Sequence, residues 1–562
     1  MVIYMLYPYK DLDSYTLPAL LKRSVKLYPQ NDALGEVGKS AYSYEEVDKE
    51  VEKLINLLEE HMIQKGDKVV LLSQNMPNWA IAYFAITSMG AVVVPILPDF
   101  HQSDVHHIIR DCEAKAVIVS QKYLPTIEEA PKDHINFVVE LDSLSIIEEF
   151  THLNYMTEIK ASLHRFTSKD QDPLVMEDDL ASLLYTSGTT GHSKGVMLSH
   201  KNLVTNALSA YKHIAIVPQD SFLSILPLAH TLECTVGLTV PLLHGASVYY
   251  IDKTPTPSVL LKAFSIQKPT MMLSVPLIIE KIFKNKIQPQ FTNSFFIRNL
   301  YKVPFIRKQL HKMAGKKLIE SFGGKIKFFG IGGAPLSRYV EEFLIEANFP
   351  YVIGYGLTET SPLISGTLLH KPQRLGSCGV AMVGVDIKIK KEHKADTHGE
   401  IMVRSPSVMM GYYKESEKTA EVMEDDWFLT GDLGYLDDDG YLYISGRSKN
   451  VIISASGENI YPEPIEATFN QHQMVLDTLI LEQNDKLVAR IHLDYELIDK
   501  EFHTQTTSQE DIKQKISELL ETILQQSNAK LANYNKVSKV IEQREPFIKT
   551  PTKKIKRYLY EE

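Results

Sequence analysis

Hydrophobic and polar positions alternate along the first 400 residues in a pattern that predicts strands and helices in turn. Short apolar runs typical of buried strands lie at residues 67–72, 91–96, 116–120, 221–226 and 270–274. Between them, residues 79–87 and 105–114 have the composition and spacing of helices. Continuous apolar strands separated by helices indicate parallel-rich sheets covered on both faces, so we predict an α/β fold.

The pattern changes after about residue 399. Shorter strands are predicted at 400–404, 434–439 and 441–445, with a turn at Asp438-Asp439-Gly440. From Val451 onward the chain resembles a separate small α+β unit. Its predicted strands are 474–481 and 487–493, and one helical face carries Ile512, Ile516, Leu519, Leu520 and Ile523. The polar segment 446–450 marks the predicted boundary.

The apolar stretch 80–97 raises the question of a membrane span. It is barely long enough, Thr87-Ser88 interrupts it, and Gly90 and Pro95 punctuate it. We therefore predict a buried helix, a turn and a buried strand. The N-terminal residues lack the features of a signal peptide, so none is expected.

Composition narrows the functional classes. The chain has 562 residues, of which 44% are hydrophobic and 23% charged, which is ordinary for a globular protein. A net charge of −10 argues against nucleic acid as a partner. The three cysteines, Cys112, Cys234 and Cys378, are too far apart for a disulfide framework, so we expect the reducing cytoplasm.

The segment 183–199 concentrates phosphate-binding chemistry in one loop. The nine residues 187–195 include the hydroxyls of Ser187, Thr189 and Thr190, the three glycines Gly188, Gly191 and Gly195, and Lys194. Glycines let backbone N–H groups approach a polyanion, and hydroxyls and a lysine add donors and charge. The alternative is a flexible polar turn. A P-loop would need a helix after the lysine, and a nucleophile elbow at Ser193 would need strand–turn–helix, whereas the sequence predicts strands on both sides.

The loop also resembles the T-S-G-T-T-G-x-x-K-G signature of the adenylate-forming enzymes, which include acyl-CoA synthetases, firefly luciferase and the adenylation domains of peptide synthetases. Further blocks resemble the family in order, at residues 332–335, 354–360, 430–432, 446–450, 456–462 and 551–557. The resemblance implies a large N-terminal domain (1–446) of parallel-rich sheets plus a small β-subdomain. A hinge (447–450) and a small mobile C-terminal α+β domain (451–562) would follow.

The implied reaction joins a carboxylate and ATP into an acyl-adenylate, releasing pyrophosphate, and then forms a thioester by thiol attack. ATP, Mg²⁺ and coenzyme A as co-substrate are implied. By the same resemblance the nucleotide-binding residues are Thr186, Ser187, Gly188, Thr189, Thr190, Gly191, Lys194, Gly332, Gly333, Ala334, Gly354, Tyr355, Gly356, Thr358, Asp432 and Arg447.

Four residues in this set have alternative interpretations or special roles. Thr189 and Glu359 would bind Mg²⁺, as hard oxygen ligands, although Glu359 could instead be a helix-terminus carboxylate. Tyr355 would face adenine or be a core tyrosine. Asp432 would accept hydrogen bonds from the ribose diol or initiate a turn.

The terminal block resembles the family pattern Thr-x-x-Gly-Lys-x-x-Arg. With Thr550 and Arg557 aligned, Lys554 is implied to be the catalytic lysine that binds the carboxylate and α-phosphate, and Lys553 is the second choice. Lys449 would be the hinge residue. Ser456 and Gly457 would line the coenzyme A channel after rotation of the small domain.

The segment Leu226 to Cys234 resembles the version found in long-chain fatty acid–CoA ligases. His230 would lie beside the substrate carboxylate, with a satisfied core histidine as the alternative. Glu233 is the only acidic residue here that could pair with an amino acid's amine, and Cys234 replaces the tunnel-gating tryptophan of some long-chain enzymes.

The sequence therefore predicts activation of a medium-to-long-chain fatty acid to acyl-CoA. An acyl carrier protein or a lipid as acceptor, and a non-catalytic binding protein, are the alternatives.

A basic segment has no place in this scheme. Residues 281–317 contain no Asp or Glu but hold ten basic side chains: Lys281, Lys284, Lys286, Arg298, Lys302, Arg307, Lys308, Lys312, Lys316 and Lys317. Five aromatic residues are interleaved: Phe291, Phe295, Phe296, Tyr301 and Phe305. One interpretation is a solvated helical face whose aromatics pack inward. The other is peripheral contact with an anionic membrane, at the inner face if the protein is cytoplasmic.

Overall fold

The computed structural model describes residues 7–150, 174–186, 193–253, 255–292, 294–391, 393, 396–453, 459–484, 486–502, 508–550 and 554–561. Two large sheets dominate this part of the chain. In the first, the described strands follow the order Val380–Ala381, Leu363–Gly366, Tyr351–Gly356, Phe328–Ile331, Met271–Ser274, Ser221–Ser224, Ser247–Tyr250, Asp32–Glu36 and Tyr42–Ser43. Its central pairs are parallel, and antiparallel strands close both edges.

The second sheet has the same plan. Its described strands follow the order Gly411–Tyr412, Lys194–Ser199, Leu180–Thr186, Val92–Ile96, Lys68–Leu72, Ala116–Val119, Phe137–Glu140 and Ser145–Glu149. Parallel pairs again occupy the centre. The predicted α/β class and parallel-rich sheets are confirmed.

Helices cover these sheets and bury apolar cores with them. The longer helices of this region are Leu17–Leu27, Tyr44–Glu60, Pro77–Ser88, Gln102–Asp111, His200–Ser209, Pro257–Gln267, Pro304–Ser321 and Arg338–Glu346. Shorter ones are Leu124–Ile127, Val240–Leu243, Pro276–Ile282, Gln288–Thr292, Phe295–Tyr301 and Ser416–Glu421. Pro77–Ser88 is buried on all sides, which explains why its sequence is apolar without a polar face.

The predicted interpretation of the stretch 80–97 is confirmed. Helix Pro77–Ser88 ends before Gly90, whose φ of +78° turns the chain into the buried strand Val92–Ile96. In the part of the chain that the structure describes, no helix combines the length and apolar character that a bilayer crossing requires.

A third sheet forms the predicted β-subdomain. Its strands are Asp386–Lys390, Gly399–Arg404, Met423–Glu424, Trp427–Leu436 and Leu442–Arg447. The predicted turn joins the last two, where Asp437 Oδ1 accepts from the N–H groups of Asp439 and Tyr441 and Gly440 adopts a φ of +79°.

The C-terminal region has an apolar core of its own, which includes Ile465, Phe469, Ile491 and Ile523. Strands Val475–Gln483, Lys486–Leu493 and Lys539–Glu542 form its sheet, and Ile452–Ile453 pairs with Asn459–Ile460. Its helices are Pro462–Phe469, Tyr495–Phe502 and Gln509–Asn528. The predicted small α+β unit is therefore present, and its boundary at 446–450 stays a prediction.

A π-helix, Glu233–Thr239, crosses the core of the large region. Glu233 is buried, and Ser224 Oγ donates to its Oε1 at 2.6 Å. A Cβ at Gly237 would lie 2.7 Å from Glu233 Cδ, so only glycine leaves room for this carboxyl group. Burial raises the pKa of Glu233 to about 8.

This buried acid makes stability depend on pH. The folded protein keeps the Glu233 proton up to about pH 8, whereas the unfolded chain releases it near the ordinary glutamate pKa of 4.5, so the contribution of Glu233 to stability falls as pH rises between the two. Glu233→Gln removes this loss. We expect the variant to gain stability over the wild type by roughly 2–5 kcal/mol between pH 5 and pH 8, since one pKa unit is worth about 1.4 kcal/mol. Urea unfolding at several pH values measures this, and a pH-independent difference would contradict it.

Candidate active site

The phosphate-binding loop connects two antiparallel strands. Leu180–Thr186 pairs with Lys194–Ser199, and Thr186 lies opposite Lys194. Because a strand and not a helix follows the loop, neither a P-loop nor a nucleophile elbow is present. The loop residues Ser187, Gly188, Thr189, Thr190 and Gly191 lie outside the described residues, so their roles stay predictions.

Lys194 points to a cluster of charges at the end of this hairpin. Its Nζ lies 5.0 Å from the centre of the Tyr412 ring. Burial and the nearby Lys418 and Lys449 lower the pKa of Lys194, and Glu415 and Glu359 act in the opposite direction. Cations that gather without a matching number of carboxylates favour an anionic ligand.

Glu359 lies on the short turn Thr358–Thr360 after strand Tyr351–Gly356. Tyr412 Oη donates to its Oε1 at 3.0 Å, and the N–H of Met409 donates to its backbone carbonyl at 2.8 Å. The carboxylate is therefore oriented by a partner that the sequence analysis missed. Mg²⁺ is commonly held by one or two carboxylates and substrate phosphates, so this single oriented carboxylate near Lys194 fits such an ion.

Tyr355, Asp432 and Arg447 form one connected group. Tyr355 Oη donates to Asp432 Oδ2 at 2.8 Å, and Arg447 Nε contacts Asp432 Oδ1 at 3.0 Å. Asp432 and Arg447 face each other across strands Trp427–Leu436 and Leu442–Arg447. Tyr355 is only 9% exposed, and burial raises its pKa well above the usual value. Its hydroxyl thus orients Asp432, the predicted ribose-binding carboxylate, and its contact with adenine stays a prediction.

The predicted adenine segments lie at the carboxyl ends of neighbouring parallel strands, Phe328–Ile331 and Tyr351–Gly356. Gly333 has a φ of +85°, and a Cβ at Gly356 would lie 1.7 Å from the Pro362 carbonyl oxygen. Both positions therefore require glycine. Ala334 is exposed beside them, and Gly332, Gly354 and Thr358 belong to the same edge, where ligands of α/β sheets commonly bind.

His230 lines the cleft on a loop that Asn75 holds. Asn75 Nδ2 donates to the Leu226 carbonyl at 2.6 Å, and Asn75 Oδ1 accepts from the Leu228 N–H at 2.9 Å. The Leu232 N–H donates to His230 Nδ1 at 3.2 Å. Burial and Lys554 lower the pKa of His230 to about 4. The ring is therefore neutral at pH 7 and carries its proton on Nε2, which can donate to an oxygen anion.

Lys554 joins this group from the C-terminal unit. The Lys554 N–H donates to Thr550 Oγ1 at 3.2 Å, and Arg557 Nη1 binds Glu466 Oε1 at 2.7 Å, so the segment is anchored on both sides. The side chain keeps contact with solvent along the cleft, but surrounding protein and Arg447 still lower the pKa of Lys554. Asp432, Glu359 and His230 are its other electrostatic neighbours.

The structure thus brings Lys554, Glu359, His230, Asp432, Arg447 and Lys194 to one cleft. Lys449 lies exposed on the turn Ser448–Asn450 directly beyond Arg447. Three predicted residues, Lys553, Ser456 and Gly457, lie outside the described part of the chain.

A small apolar cavity of about 30 Å³ lies between the π-helix and the first sheet, and Gly332 and Gly354 of the predicted adenine segments are among its lining residues. Its walls include Ile214, Leu232, Val236, Leu273, Leu363 and Met382. Glu233 bonds to Ser224 and is not among the described residues that line the cavity.

Comparison with known proteins agrees with this site. The chain is 30% identical over 517 residues to the long-chain-fatty-acid–CoA ligase heimdall of Drosophila melanogaster, covering 83% of this chain and 74% of that protein. It is 26% identical over 502 residues to a long-chain-fatty-acid–CoA ligase of Bacillus subtilis (strain 168), covering 84% and 83%.

Solved structures share the fold. The anthranilate CoA ligase AuaEII in complex with anthranoyl-AMP aligns with a TM-score of 0.75 at 22% identity, over 98% of this chain and 97% of that one. The family described as AMP-binding enzyme matches residues 21–413. Because that match covers well over half of the sequence and spans the hairpin and the adenine edge, the chain belongs to the AMP-binding enzymes.

Proposed function

We propose that this protein activates a medium-to-long-chain fatty acid with ATP to an acyl-adenylate and then transfers the acyl group to coenzyme A, releasing pyrophosphate and AMP. The observation that carries the proposal is the convergence of Lys554 with His230, Glu359, Asp432 and Arg447 beside an apolar cavity. An acyl carrier protein is the alternative acceptor, since it presents the same pantetheine thiol.

The first half-reaction brings two anions together, so the site must neutralise charge and align the reactants. Lys554 would bind the carboxylate and the α-phosphate, and His230 Nε2–H would donate to an oxygen of the same centre. Lys194 would bind the outer phosphates. Glu359, with Thr189, would hold Mg²⁺, whose charge offsets that of the phosphates when it is bound.

Asp432 and Arg447 would position the nucleotide. Each Asp432 oxygen already accepts one hydrogen bond from protein, and the remaining lone pairs can accept from the ribose hydroxyls. The second half-reaction would follow rotation of residues 451–562 about 447–450, with Lys449 at the hinge. Ser456 and Gly457 would then line the thiol channel.

The choice of acid is supported by the similarity to long-chain-fatty-acid–CoA ligases and by the state of Glu233. This carboxyl group is buried and bound by Ser224, and burial keeps it protonated below about pH 8. An amino-acid substrate would need a carboxylate for its amine. The similarity and the neutral Glu233 together favour a fatty acid. Cys234 is also buried and forms a side-chain hydrogen bond with Tyr83. The position of the predicted tunnel gate is therefore occupied by a packed core side chain.

Lys554→Ala tests the catalytic assignment. We expect ATP–pyrophosphate exchange to fall by roughly 10²–10³-fold, because a preorganised charge partner is lost. Thioester formation from supplied acyl-adenylate should stay close to wild type, because a terminal lysine serves only one orientation of the small unit. Lys556→Ala is the matched control. Equal loss in both half-reactions would contradict the assignment of Lys554. If Lys553→Ala shows the selective loss instead, Lys553 is the catalytic lysine.

A panel of acids tests the substrate class. Each methylene buried in an apolar tunnel contributes about 0.8 kcal/mol, so exchange should rise steeply from acetate to medium and long fatty acids. Aromatic acids and amino acids should support little exchange. A maximum at acetate or at any amino acid would overturn the fatty-acid assignment. The same panel with coenzyme A and with holo carrier protein identifies the acceptor.

We also propose peripheral contact with an anionic membrane through the segment 281–317. The exposed fractions of Phe295, Phe296 and Phe305 are 73%, 70% and 72%, whereas Phe291 is buried and stacks on Tyr301. Three large apolar rings therefore face solvent. Eight of the ten basic side chains are exposed around them: Lys281, Lys286, Arg298, Lys302, Lys308, Lys312, Lys316 and Lys317. Exposed aromatics among unpaired positive charge suit the headgroup region of an anionic bilayer.

Vesicle sedimentation tests this contact. Binding should require anionic lipid and weaken at high salt. Replacing Lys302, Lys308, Lys312 and Lys316 by Gln should cost at least about 100-fold in affinity, since each basic residue contributes roughly 1 kcal/mol. The matched control replaces four exposed lysines elsewhere: Lys262, Lys325, Lys371 and Lys539. Equal binding to neutral vesicles, or equal effects of the two quadruple variants, would leave 281–317 a solvated face.

A further inference from the structure

Lys284, in the large region, contacts the C-terminal unit, although it lies far in sequence from the predicted hinge at 447–450. This residue lies on the π-helical turn Phe283–Ile287, and its Nζ donates to the Asn470 carbonyl oxygen at 2.6 Å. Asn470 is the C-cap of helix Pro462–Phe469. The carbonyl end of a helix carries partial negative charge, so an ammonium group is a suitable partner there.

Lys284 differs from Lys281 and Lys286 because it is half-buried, whereas they are exposed. Burial lowers its pKa, and the acidic groups Glu280, Asp494 and Asp477 act in the opposite direction. A partly buried ammonium group needs a strong acceptor, which the helix end supplies.

The interface around this contact is loosely packed. A cavity of about 320 Å³ lies beside it, with Phe283, Tyr301, Arg307 and Glu346 on one side and Gln471 and Lys530 on the other. Lys530 Nζ donates to Gln471 Oε1 at 3.0 Å within the C-terminal unit. Side chains around a void lose packing contacts, so close packing contributes little here and the charge-assisted hydrogen bond contributes more.

Helix Pro462–Phe469 connects this contact to the active site. Its last turn is bound by Lys284, and Glu466 on the same helix binds Arg557 at 2.7 Å, three residues beyond Lys554. At its first turn, Glu463 Oε1 accepts from Asn450 Nδ2 at 2.6 Å, next to the predicted hinge. One rigid element thus joins Lys284, the hinge and the lysine segment.

We propose that Lys284 is a positioning residue for the first half-reaction: its bond to the end of helix Pro462–Phe469 holds the C-terminal unit in the orientation in which Lys554 reaches the reactants. The bond must break when that unit rotates for thioester formation. The inference rests on the proposed function, and it adds a residue that would set the relative populations of the two orientations of the C-terminal unit.

Lys284→Met tests the inference in the full-length protein, because methionine keeps an unbranched apolar stem but removes the donor. We expect ATP–pyrophosphate exchange with a fatty acid to fall by about 10-fold or more, as for a lost hydrogen bond to a charged group. Thioester formation from supplied acyl-adenylate and coenzyme A should be unchanged or faster. Lys284→Arg, which retains a donor, should recover part of the exchange, and Lys262→Met, at an exposed position outside the segment 281–317, should behave as wild type.

The two half-reactions separate the possible failures. If none of the carboxylic acids tested supports ATP–pyrophosphate exchange by the wild type, the proposed function is wrong. If the wild type is active but Lys284→Met lowers both half-reactions equally, or neither, the positioning role is wrong and the function stands. Thermal unfolding of Lys284→Met distinguishes a folded variant from a destabilised one, and a folded variant with an unchanged ratio of the two rates overturns the inference.

Discussion

A buried carboxylate must be paired, and the structure around the cleft is organised by how Asp432 meets that requirement. Its two oxygens are bound by Tyr355, from the first large sheet, and by Arg447, the last residue of the strand that leads to the C-terminal unit. Removing Tyr355 or Arg447 would leave one oxygen of the buried Asp432 carboxylate without its partner. The hydrogen bond from Tyr355 therefore ties the third sheet to the first, and the ion pair with Arg447 fixes the starting point of the predicted hinge.

The lysines of the cleft, in contrast to Asp432, lie near groups of the same charge. Besides burial, the positive charges of Lys418 and Lys449 lower the pKa of Lys194, and that of Arg447 lowers the pKa of Lys554. Glu359 and Asp432 offset this only in part. Such an arrangement is costly in the free protein and becomes favourable when a polyphosphate enters, so stability is given up for binding. His230 adds a donor without adding to this repulsion, because it stays neutral.

Local sequence signals predicted the strands and the turn at Asp438-Asp439-Gly440, because apolar runs and turn residues act over a few positions. They also identified Lys194, Glu359, Asp432 and Arg447 through family resemblance. They could not identify Tyr412, which lies 53 residues from the Glu359 carboxylate that it orients, or Asn75, which holds a loop 150 residues away. No spacing marks such contacts. Composition could not separate the buried Phe291 from the exposed Phe295 and Phe296, since only packing decides which rings turn inward.

The C-terminal unit keeps its own apolar core, built around Phe469, Ile491 and Ile523, and touches the large region through polar groups and a sizeable void. A change of orientation at this interface would therefore expose little new hydrocarbon to water. Heat-capacity changes in proteins follow exposed apolar area, so such a change would have a small one. The enthalpy difference between the two orientations should then be nearly independent of temperature. The logarithm of their equilibrium constant should therefore vary linearly with reciprocal temperature, whereas that of folding is curved.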